Sequence, residues 1–282
     1  MQHKEFGWTK RAVPRIGQGT WKLPSRGAAV KEAERALRRG IELGMTHIDS
    51  AEMYGDGRSE EIVGDAIKGV DRSRLFVVSK VLPQNASYEG TIRACEHSLA
   101  RLKTDYLDVY LLHWRGSQPL RDTMRALERL LSDGKIKALG VSNFDVEDLR
   151  EATSYLEHGR IACNQVLYNF VERGIEYELT DYCRDNRIAI VGYTPFGGIP
   201  AERTKARVKL AEIAGRYDVN VYQLALAWCT RDPICFTIPK SADVVHVEQN
   251  ARAGDLELDA EALREIDEIF PPPRKSQPLA MG

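Results

Sequence analysis

The chain has 282 residues, of which 43% are hydrophobic and 29% are charged, and this composition excludes wholesale disorder. The 40 Lys and Arg residues nearly balance the 41 Asp and Glu residues, which excludes the strongly basic surface of a nucleic-acid-binding protein. No apolar run approaches the ~18 residues that a membrane span requires, and the N-terminus lacks the apolar core of a secretory signal.

The first predicted secondary-structure element is segment 5–16. This segment is too short for a helix–strand unit, and we expect it to form a small β-hairpin. Short apolar runs then recur along the chain and are typical of buried strands. There are eight such runs. The first run precedes Trp21. The other seven each contain or end at one polar residue, which in chain order are Asp49, Lys80, His113, Asn143, Gln165, Tyr193 and Lys240. Residues 271–282 open with three prolines, and we expect an irregular tail there.

The segments between the apolar runs carry one apolar stripe each at helical spacing. The best example is Val30, Ala33, Leu37 and Ile41. Strands that are apolar along most of their length are typical of parallel strands covered on both faces. Eight such units predict an α/β fold, a closed (β/α)8 TIM barrel, as one domain over 1–282 with the hairpin closing its bottom.

An open doubly wound sheet is the competing architecture, and its signature is a GxGxxG turn early in the chain. The segment Gly17-Gln18-Gly19 continues with Thr-Trp-Lys and lacks the third glycine. The sequence therefore favours the barrel.

Polar residues stand where the apolar runs end, and in a barrel these ends meet at one mouth. An unpaired buried charge is costly, so we expect Asp49 and Lys80 to pair. Tyr54 follows Asp49 by five residues and can reach the same place, where a lysine cation would lower its pKa. With His113, this set can polarise and protonate a carbonyl group, but it supplies no electrons, so a reduction requires a hydride donor.

These residues lie in segments that resemble the signatures of the aldo-keto reductase family over about residues 13–270. The segments, in order, are HIDSAEMYG, VSK, LLHW, GVSNF, NQV, GYTPFG and IPKS. The resemblance implies an oxidoreductase that reduces aldehydes and ketones with NADP(H). It assigns Tyr54 as the proton donor, Lys80 as the group that lowers the tyrosine pKa, Asp49 as the partner of that lysine, and His113 as the residue that orients the carbonyl.

The resemblance also implies a set of cofactor-binding residues. Ser142, Asn143 and Gln165 would hold the nicotinamide amide, and Tyr193 would stack on its ring. The remaining positions are Thr194, Pro195, Phe196 and Gly197 along the pyrophosphate, and Lys240, Ser241, His246, Gln249 and Asn250 near the 2′-phosphate.

The chain departs from the family pattern near the predicted phosphate site. Many members have an arginine where this chain has His246, and a glutamate where it has Gln249. A neutral histidine lacks the bidentate guanidinium fork, so NAD(H) stays open as a second cofactor.

By the same resemblance, Trp21, Met53 and Trp114 should form the substrate pocket. An apolar, aromatic wall suits small aldehydes and ketones, and the short loops around it predict an open, permissive site. Two other functions stay open. One is a non-catalytic NADP(H)-binding sensor subunit, and the other is a lyase that uses Lys80 to form a Schiff base.

The remaining sequence features concern location and partners. The 5 cysteines form no CxxC pair, which is typical of reduced cysteines in a cytoplasmic protein. The histidines form no HxH or HExxH motif, so no metal site is predicted. We expect a cytoplasmic monomer whose partner is a small carbonyl substrate, without a nucleic-acid or membrane partner.

Overall fold

The computed structural model describes residues 1–282, and eight parallel strands form its centre. In chain order the sheet runs from β3 to β10, and each strand pairs with the next one in the sequence. The strands are β3 Gln18–Gly19, β4 His47–Asp49, β5 Phe76–Val81, β6 Leu107–Leu112, β7 Ile136–Ser142, β8 Ile161–Leu167, β9 Ala189–Tyr193 and β10 Cys235–Thr237.

The sheet closes on itself between its first and last strands. Two isolated parallel bridges, Ile16 with Thr237 and Gly19 with Lys240, connect these edges. Gly19 is needed at this seam, because an added Cβ would lie 2.5 Å from the carbonyl oxygen of Ile238. The (β/α)8 barrel predicted from the strand spacing is therefore confirmed.

Ten helices accompany the strands, and the predicted apolar stripes face the sheet. The helices are α1 Ala28–Glu42, α2 Arg58–Ala66, α3 Tyr88–Leu102, α4 Leu120–Ser132, α5 Val146–Ser154, α6 Leu179–Asp185, α7 Lys205–Arg216, α8 Val221–Cys229, α9 Val244–Ala253 and α10 Ala260–Ile269. Two of these, α7 and α8, lie between β9 and β10, and α10 follows the last barrel unit. Residues 271–282 form neither helix nor strand, as expected from their prolines.

The predicted N-terminal hairpin is also present, but it spans residues 3–14 and not 5–16. Its strands β1 His3–Glu5 and β2 Ala12–Pro14 pair antiparallel. Phe6 between them is fully buried, and its ring centroid lies 4.7 Å from that of Phe76 and 5.0 Å from that of Phe236. The hairpin therefore closes one end of the barrel with an aromatic side chain.

Alternate residues of the barrel strands face the barrel interior. Phe76 and Val78 belong to a cluster that includes Phe6, whereas Val77 and Val81 belong to the larger cluster that includes the helices. Because side chains alternate along a strand, Lys80 continues the inward row above Val78. The same alternation on the other strands makes six more polar side chains point into the barrel near its mouth. These are Asp49, His113, Ser142, Gln165, Tyr193 and Lys240.

All five cysteines are buried, and none is paired with another. No helix is both long and apolar enough to cross a membrane.

Three polar residues that were predicted within or at the end of a strand lie beyond it. They are His113, Asn143 and Lys240, because β6 ends at Leu112, β7 at Ser142 and β10 at Thr237.

Candidate active site

The Lys80 ammonium lies at the centre of the predicted catalytic group. Its Nζ donates to Asp49 Oδ1 at 2.6 Å, to the Ser50 carbonyl oxygen at 2.7 Å and to Tyr54 Oη at 3.3 Å. Lys80 is fully buried, and Asp49 is 1% exposed. All three N–H donors of the ammonium are therefore used, and the lysine is held in one position.

The buried ion pair is completed by an amide from across the barrel. Gln165 Nε2 donates to Asp49 Oδ2 at 2.8 Å, so both carboxylate oxygens have partners. Burial works to lower the pKa of Lys80, but Asp49 and Tyr54 outweigh it and raise that pKa above its usual value. The lysine therefore stays charged throughout the neutral pH range.

Tyr54 reaches this group from the turn between β4 and α2. The turn includes left-handed residues at Gly55, Asp56 and Gly57, and the Tyr54 side chain is folded back into the mouth, where the residue is 9% exposed. Burial raises the pKa of its phenol, and Lys80 opposes that rise. Lys80 thus acts with the predicted sign, but the net shift of the Tyr54 pKa is upward, so the expectation of a lowered tyrosine pKa is wrong.

His113 lies directly after β6 and faces the phenol of Tyr54. The two ring centroids are 5.7 Å apart in an edge-to-face arrangement. Burial, with a smaller contribution from Lys80, lowers the pKa of His113 to about 3. The imidazole is therefore neutral at physiological pH, and its buried Nδ1 has no hydrogen-bond partner in the protein.

A chain of hydrogen bonds joins the ends of β7, β8 and β9. Tyr193 Oη donates to Asn143 Oδ1 at 2.9 Å, Asn143 Nδ2 donates to the His113 carbonyl oxygen at 3.2 Å, and Ser142 Oγ donates to the Gln165 carbonyl oxygen at 2.9 Å. Asn143 adopts a left-handed φ of 61°, a conformation that asparagine tolerates better than most residues. The predicted nicotinamide-binding residues thus form one connected group.

The predicted pyrophosphate segment turns sharply after β9. Thr194 has a φ of 55°, which is strained for a β-branched residue. Asn169 Nδ2 and the N–H of Gly197 both donate to its carbonyl oxygen, at 3.2 Å and 3.0 Å. A Cβ added at Gly197 would lie 2.7 Å from Asn169 Nδ2, so the Asn169 amide would have to shift.

The predicted phosphate segment lies between β10 and α9. Lys240 is exposed and forms no ion pair, so its charge is free for an anionic ligand. Gln249 is less free, since its Oε1 accepts from Asn220 Nδ2 at 3.4 Å. Asn250 is 5% exposed.

These groups surround a cavity of about 280 Å³ at the barrel mouth. Its lining contains most of the predicted residues, namely Asp49, Tyr54, His113, Ser142, Asn143, Gln165, Tyr193, Thr194, Pro195, Phe196, Lys240, Trp21, Met53 and Trp114. Lys80 is fully buried and does not line the cavity. The cavity wall does not include Gly197, Ser241, His246, Gln249 or Asn250.

Sequence reasoning missed four residues that line this cavity, which are Gly19, Thr20, Ile238 and Gly282. Thr20 Oγ1 donates to the Asp49 carbonyl oxygen at 2.9 Å, and its place after Gly19 was the signal that could have identified it. The Gly282 N–H donates to Tyr193 Oη at 3.4 Å, and no local sequence signal indicates this contact. The segment after Pro273 therefore reaches the barrel mouth, and Gly282 forms part of the cavity wall. The short length of this segment had predicted a more open site.

A larger cavity of about 890 Å³ lies beside the N-terminal hairpin, away from these groups. Its lining includes Lys4, whose Nζ donates to the carbonyl oxygens of Thr230 and Asp232 at 2.5 Å and 2.6 Å. These bonds tie the hairpin to the barrel. No three His, Cys, Asp or Glu side chains lie close enough together to hold a metal ion.

The fold and the mouth define an enzyme class. A closed parallel barrel carries a buried Asp–Lys pair, a tyrosine and a neutral histidine at the carboxyl ends of its strands, where barrel enzymes hold their active sites. Groups of these types can stabilise charge and transfer protons, and they line or underlie a cavity of about 280 Å³.

Comparisons with known proteins identify the family within this class. The model of the Aldo/keto reductase family matches residues 15–270. Methylglyoxal reductase YeaE of Escherichia coli is 41% identical over 96% of this chain and 95% of its own length. Glyoxal reductase of Bacillus subtilis is 38% identical over 91% and 89%.

A solved structure agrees with these sequence matches. The aldo-keto reductase of Klebsiella pneumoniae, in complex with NADPH, superimposes with a TM-score of 0.93 at 43% identity and covers 100% of both chains. The chain belongs to the aldo/keto reductase family, and it is an NADP(H)-dependent oxidoreductase that reduces carbonyl groups. The family resemblance seen in the sequence is confirmed, and the sensor and lyase alternatives are not favoured.

Proposed function

We propose that the protein reduces small aldehydes and ketones, including α-dicarbonyl compounds, with Tyr54 as the proton donor. The observation that carries this proposal is the buried chain from Asp49 through Lys80 to Tyr54 at the edge of the cavity. A phenol in contact with a fixed ammonium can release a proton without leaving an isolated negative charge in the barrel.

NADPH, when bound, supplies the hydride that the protein lacks. With that hydride delivered to the carbonyl carbon, Tyr54 Oη would give its proton to the carbonyl oxygen, and the product would be an alcohol. The resulting phenolate is stabilised by Lys80 and regains a proton from solvent. Neutral His113 orients the carbonyl oxygen by a hydrogen bond, since burial excludes the charged imidazolium.

The cofactor fits the groups that the mouth presents. We assign the nicotinamide amide to Ser142, Asn143 and Gln165 and the stacking face to Tyr193, since an aromatic ring on one side leaves the other side open to the substrate. The free cation of Lys240 suits a phosphate. The other cofactor-binding residues of this proposal are Thr194, Pro195, Phe196, Gly197, Ser241, His246, Gln249 and Asn250.

The substitution Tyr54→Phe tests the role of the phenol. Loss of the proton donor should reduce kcat for methylglyoxal reduction by about 10²–10⁴-fold, while NADPH binding, followed by fluorescence titration, should change less than about twofold because the ring remains. A Tyr54→Phe variant with full activity would contradict the proposal. Borohydride trapping of a substrate adduct on Lys80 would instead support the lyase.

The size of the cavity and the two curated relatives support a small substrate. Methylglyoxal and glyoxal are the substrates in those relatives' names, and Trp21, Met53 and Trp114 wall a space of about 280 Å³ that the nicotinamide must share. We expect kcat/KM for methylglyoxal to exceed that for a bulky aromatic ketone. Equal values for the two would contradict this assignment.

The proposal includes location and assembly. Five buried free cysteines support a reducing compartment, so we assign the protein to the cytoplasm, as a monomeric single domain over 1–282 without a nucleic-acid or membrane partner. Light scattering should give a mass near 31.8 kDa, and cell fractionation should place the protein outside the membrane fraction. A dimer mass or membrane association would contradict this part.

A further inference from the structure

The residue that caps α9 has an acidic side chain, and it follows the proposed phosphate-binding Lys240 by three residues. Asp243 precedes the helix, and its Oδ1 accepts hydrogen bonds from the N–H groups of Val245 at 2.7 Å and His246 at 3.1 Å. These amides would otherwise attract an anion to the end of the helix. The protein's own carboxylate already satisfies them.

The neighbouring hydroxyl is also engaged by the same residue. Ser241 Oγ accepts from the N–H of Asp243 at 3.0 Å and donates to its carbonyl oxygen at 3.1 Å. This turn holds the carboxylate three residues from Lys240. The serine is thereby committed in part to the backbone and is less available to a phosphate.

Few positive charges balance this carboxylate. Segment 240–250 contains one lysine and no arginine, and its second acid, Glu248, is already paired with Arg39 at 2.8 Å. A 2′-phosphate on Lys240 would therefore approach Asp243 without a guanidinium from segment 240–250 to offset the repulsion, and the Arg39 guanidinium is already paired with Glu248.

The second carboxylate oxygen of Asp243, Oδ2, is available to accept a hydrogen bond from a ligand. Oδ2 makes no hydrogen bond, and the residue is exposed. A carboxylate oxygen accepts a hydrogen bond from a ribose 2′-hydroxyl, which is how many NAD sites recognise their cofactor, whereas NADP sites use a cation at the 2′-phosphate. The geometry thus favours a hydroxyl and disfavours a phosphate at this position.

We propose that Asp243 is a specificity-determining residue that disfavours the cofactor 2′-phosphate and lets the enzyme use NADH at a rate comparable to NADPH. The inference rests on the proposed assignment of Lys240 and its neighbours to the adenosine ribose. It identifies, beyond the missing arginine at His246, the carboxylate that weakens NADPH preference.

A binding experiment tests this inference without turnover. Isothermal titration calorimetry compares 2′,5′-ADP with 5′-AMP on the wild type and on Asp243→Asn, whose amide oxygen still accepts the helix N–H groups. The variant should bind 2′,5′-ADP about tenfold more tightly, equivalent to about 1.4 kcal/mol, and 5′-AMP no more tightly. The ratio of kcat/KM for NADPH over NADH should rise by a similar factor.

Two further variants serve as controls. Asp259→Asn changes the equivalent capping carboxylate of α10, where Oδ1 accepts from the Ala262 N–H at 2.8 Å, and should leave both affinities unchanged. Lys240→Met should weaken 2′,5′-ADP and spare 5′-AMP. An unchanged affinity ratio in Asp243→Asn would overturn the inference while leaving the reductase intact. Failure of both nucleotides to bind the wild type would overturn the proposed cofactor site as well.

Discussion

The Asp49–Lys80 pair shows how a single buried contact serves both stability and chemistry. Both charges lie in the barrel interior, where an unpaired charge is costly. Each carboxylate oxygen has a donor, one from Lys80 and one from Gln165. The pair therefore persists because its hydrogen bonds are complete, and that completeness holds the ammonium beside Tyr54.

Removing the Lys80 ammonium should lower both the free energy of unfolding and the catalytic activity, by two different mechanisms. Lys80→Met leaves Asp49 buried without its cation and should lower the free energy of unfolding by about 3–5 kcal/mol. Adding Asp49→Asn removes the unpaired charge and should restore much of that loss, but not turnover. Urea unfolding and methylglyoxal reduction measure the two effects. Recovery of activity in the double variant would contradict the role of Lys80.

His47 gives a pH-dependent contribution to stability. The ring is fully buried between Phe6 and Phe76, both nitrogens lack partners, and burial, aided by Lys80, lowers its pKa to about 3. Between about pH 6.5 and 3 the unfolded chain binds a proton that the folded protein does not. The free energy of unfolding therefore falls as the pH decreases, by up to about 1.4 kcal/mol per pH unit.

His47→Leu should remove this pH-dependent contribution to the free energy of unfolding. His113, whose pKa is also lowered, should still make its own contribution in the variant. The difference in unfolding free energy between pH 7.5 and 4.5 should then be smaller in the variant than in the wild type, as measured by urea denaturation at both values. At pH 7.5 the two proteins differ only in packing, which supplies the reference. Identical pH dependence in both would contradict the burial argument.

At the scale of the elements, the helix starts position the residues at the mouth. After Asn143 leaves β7 in a left-handed conformation, α5 begins within three residues. Its start is a capping box, in which Asp145 Oδ1 accepts from the Asp148 N–H at 2.8 Å and Asp148 Oδ2 accepts from the Asp145 N–H at 3.4 Å. This cap sets the direction in which the chain leaves the active site.

Asp145→Ala should lower the free energy of unfolding by about 1 kcal/mol, because one helix N–H loses its acceptor. Thermal or urea unfolding measures the change. Glu147→Ala, an exposed acidic residue in the same first turn, is the matched control and should have a smaller effect. If both substitutions cost the same, charge at the helix start and not capping geometry is responsible.

At the scale of the whole molecule, closure of the barrel depends on a short seam. Strand β3 has only two residues, and it meets the last unit through the bridge between Gly19 and Lys240. The seam brings Trp21 and Lys240, which are far apart in the sequence, to the same cavity. Stability and site geometry are therefore linked at this point.

Gly19→Ala should lower the free energy of unfolding by about 2–3 kcal/mol, because the added methyl group would collide with the backbone of Ile238. Gly215→Ala is the matched control. That glycine lies in α7 with nothing within 4 Å of an added Cβ, and alanine there should stabilise the protein by about 0.5–1 kcal/mol. A stable Gly19→Ala variant would show that the seam can relax.

The barrel, the N-terminal hairpin and the family could all be predicted from the amino-acid sequence alone. Apolar runs and helical stripes repeat with one βα unit each, and burial of both faces of a parallel sheet requires that pattern. The polar residues at the ends of the runs could also be predicted to converge, because all parallel strands end on the same side of a barrel.

The contacts that the inward-facing side chains make could be read only from the folded barrel. The Gln165 amide on Asp49, the upward pKa shift of Tyr54, the reach of Gly282 and the free oxygen of Asp243 all depend on residues distant in the chain or on burial depth. Local patterns report spacing along one element. Distances across the barrel are set by closure, and solvation is set by everything that packs around a group.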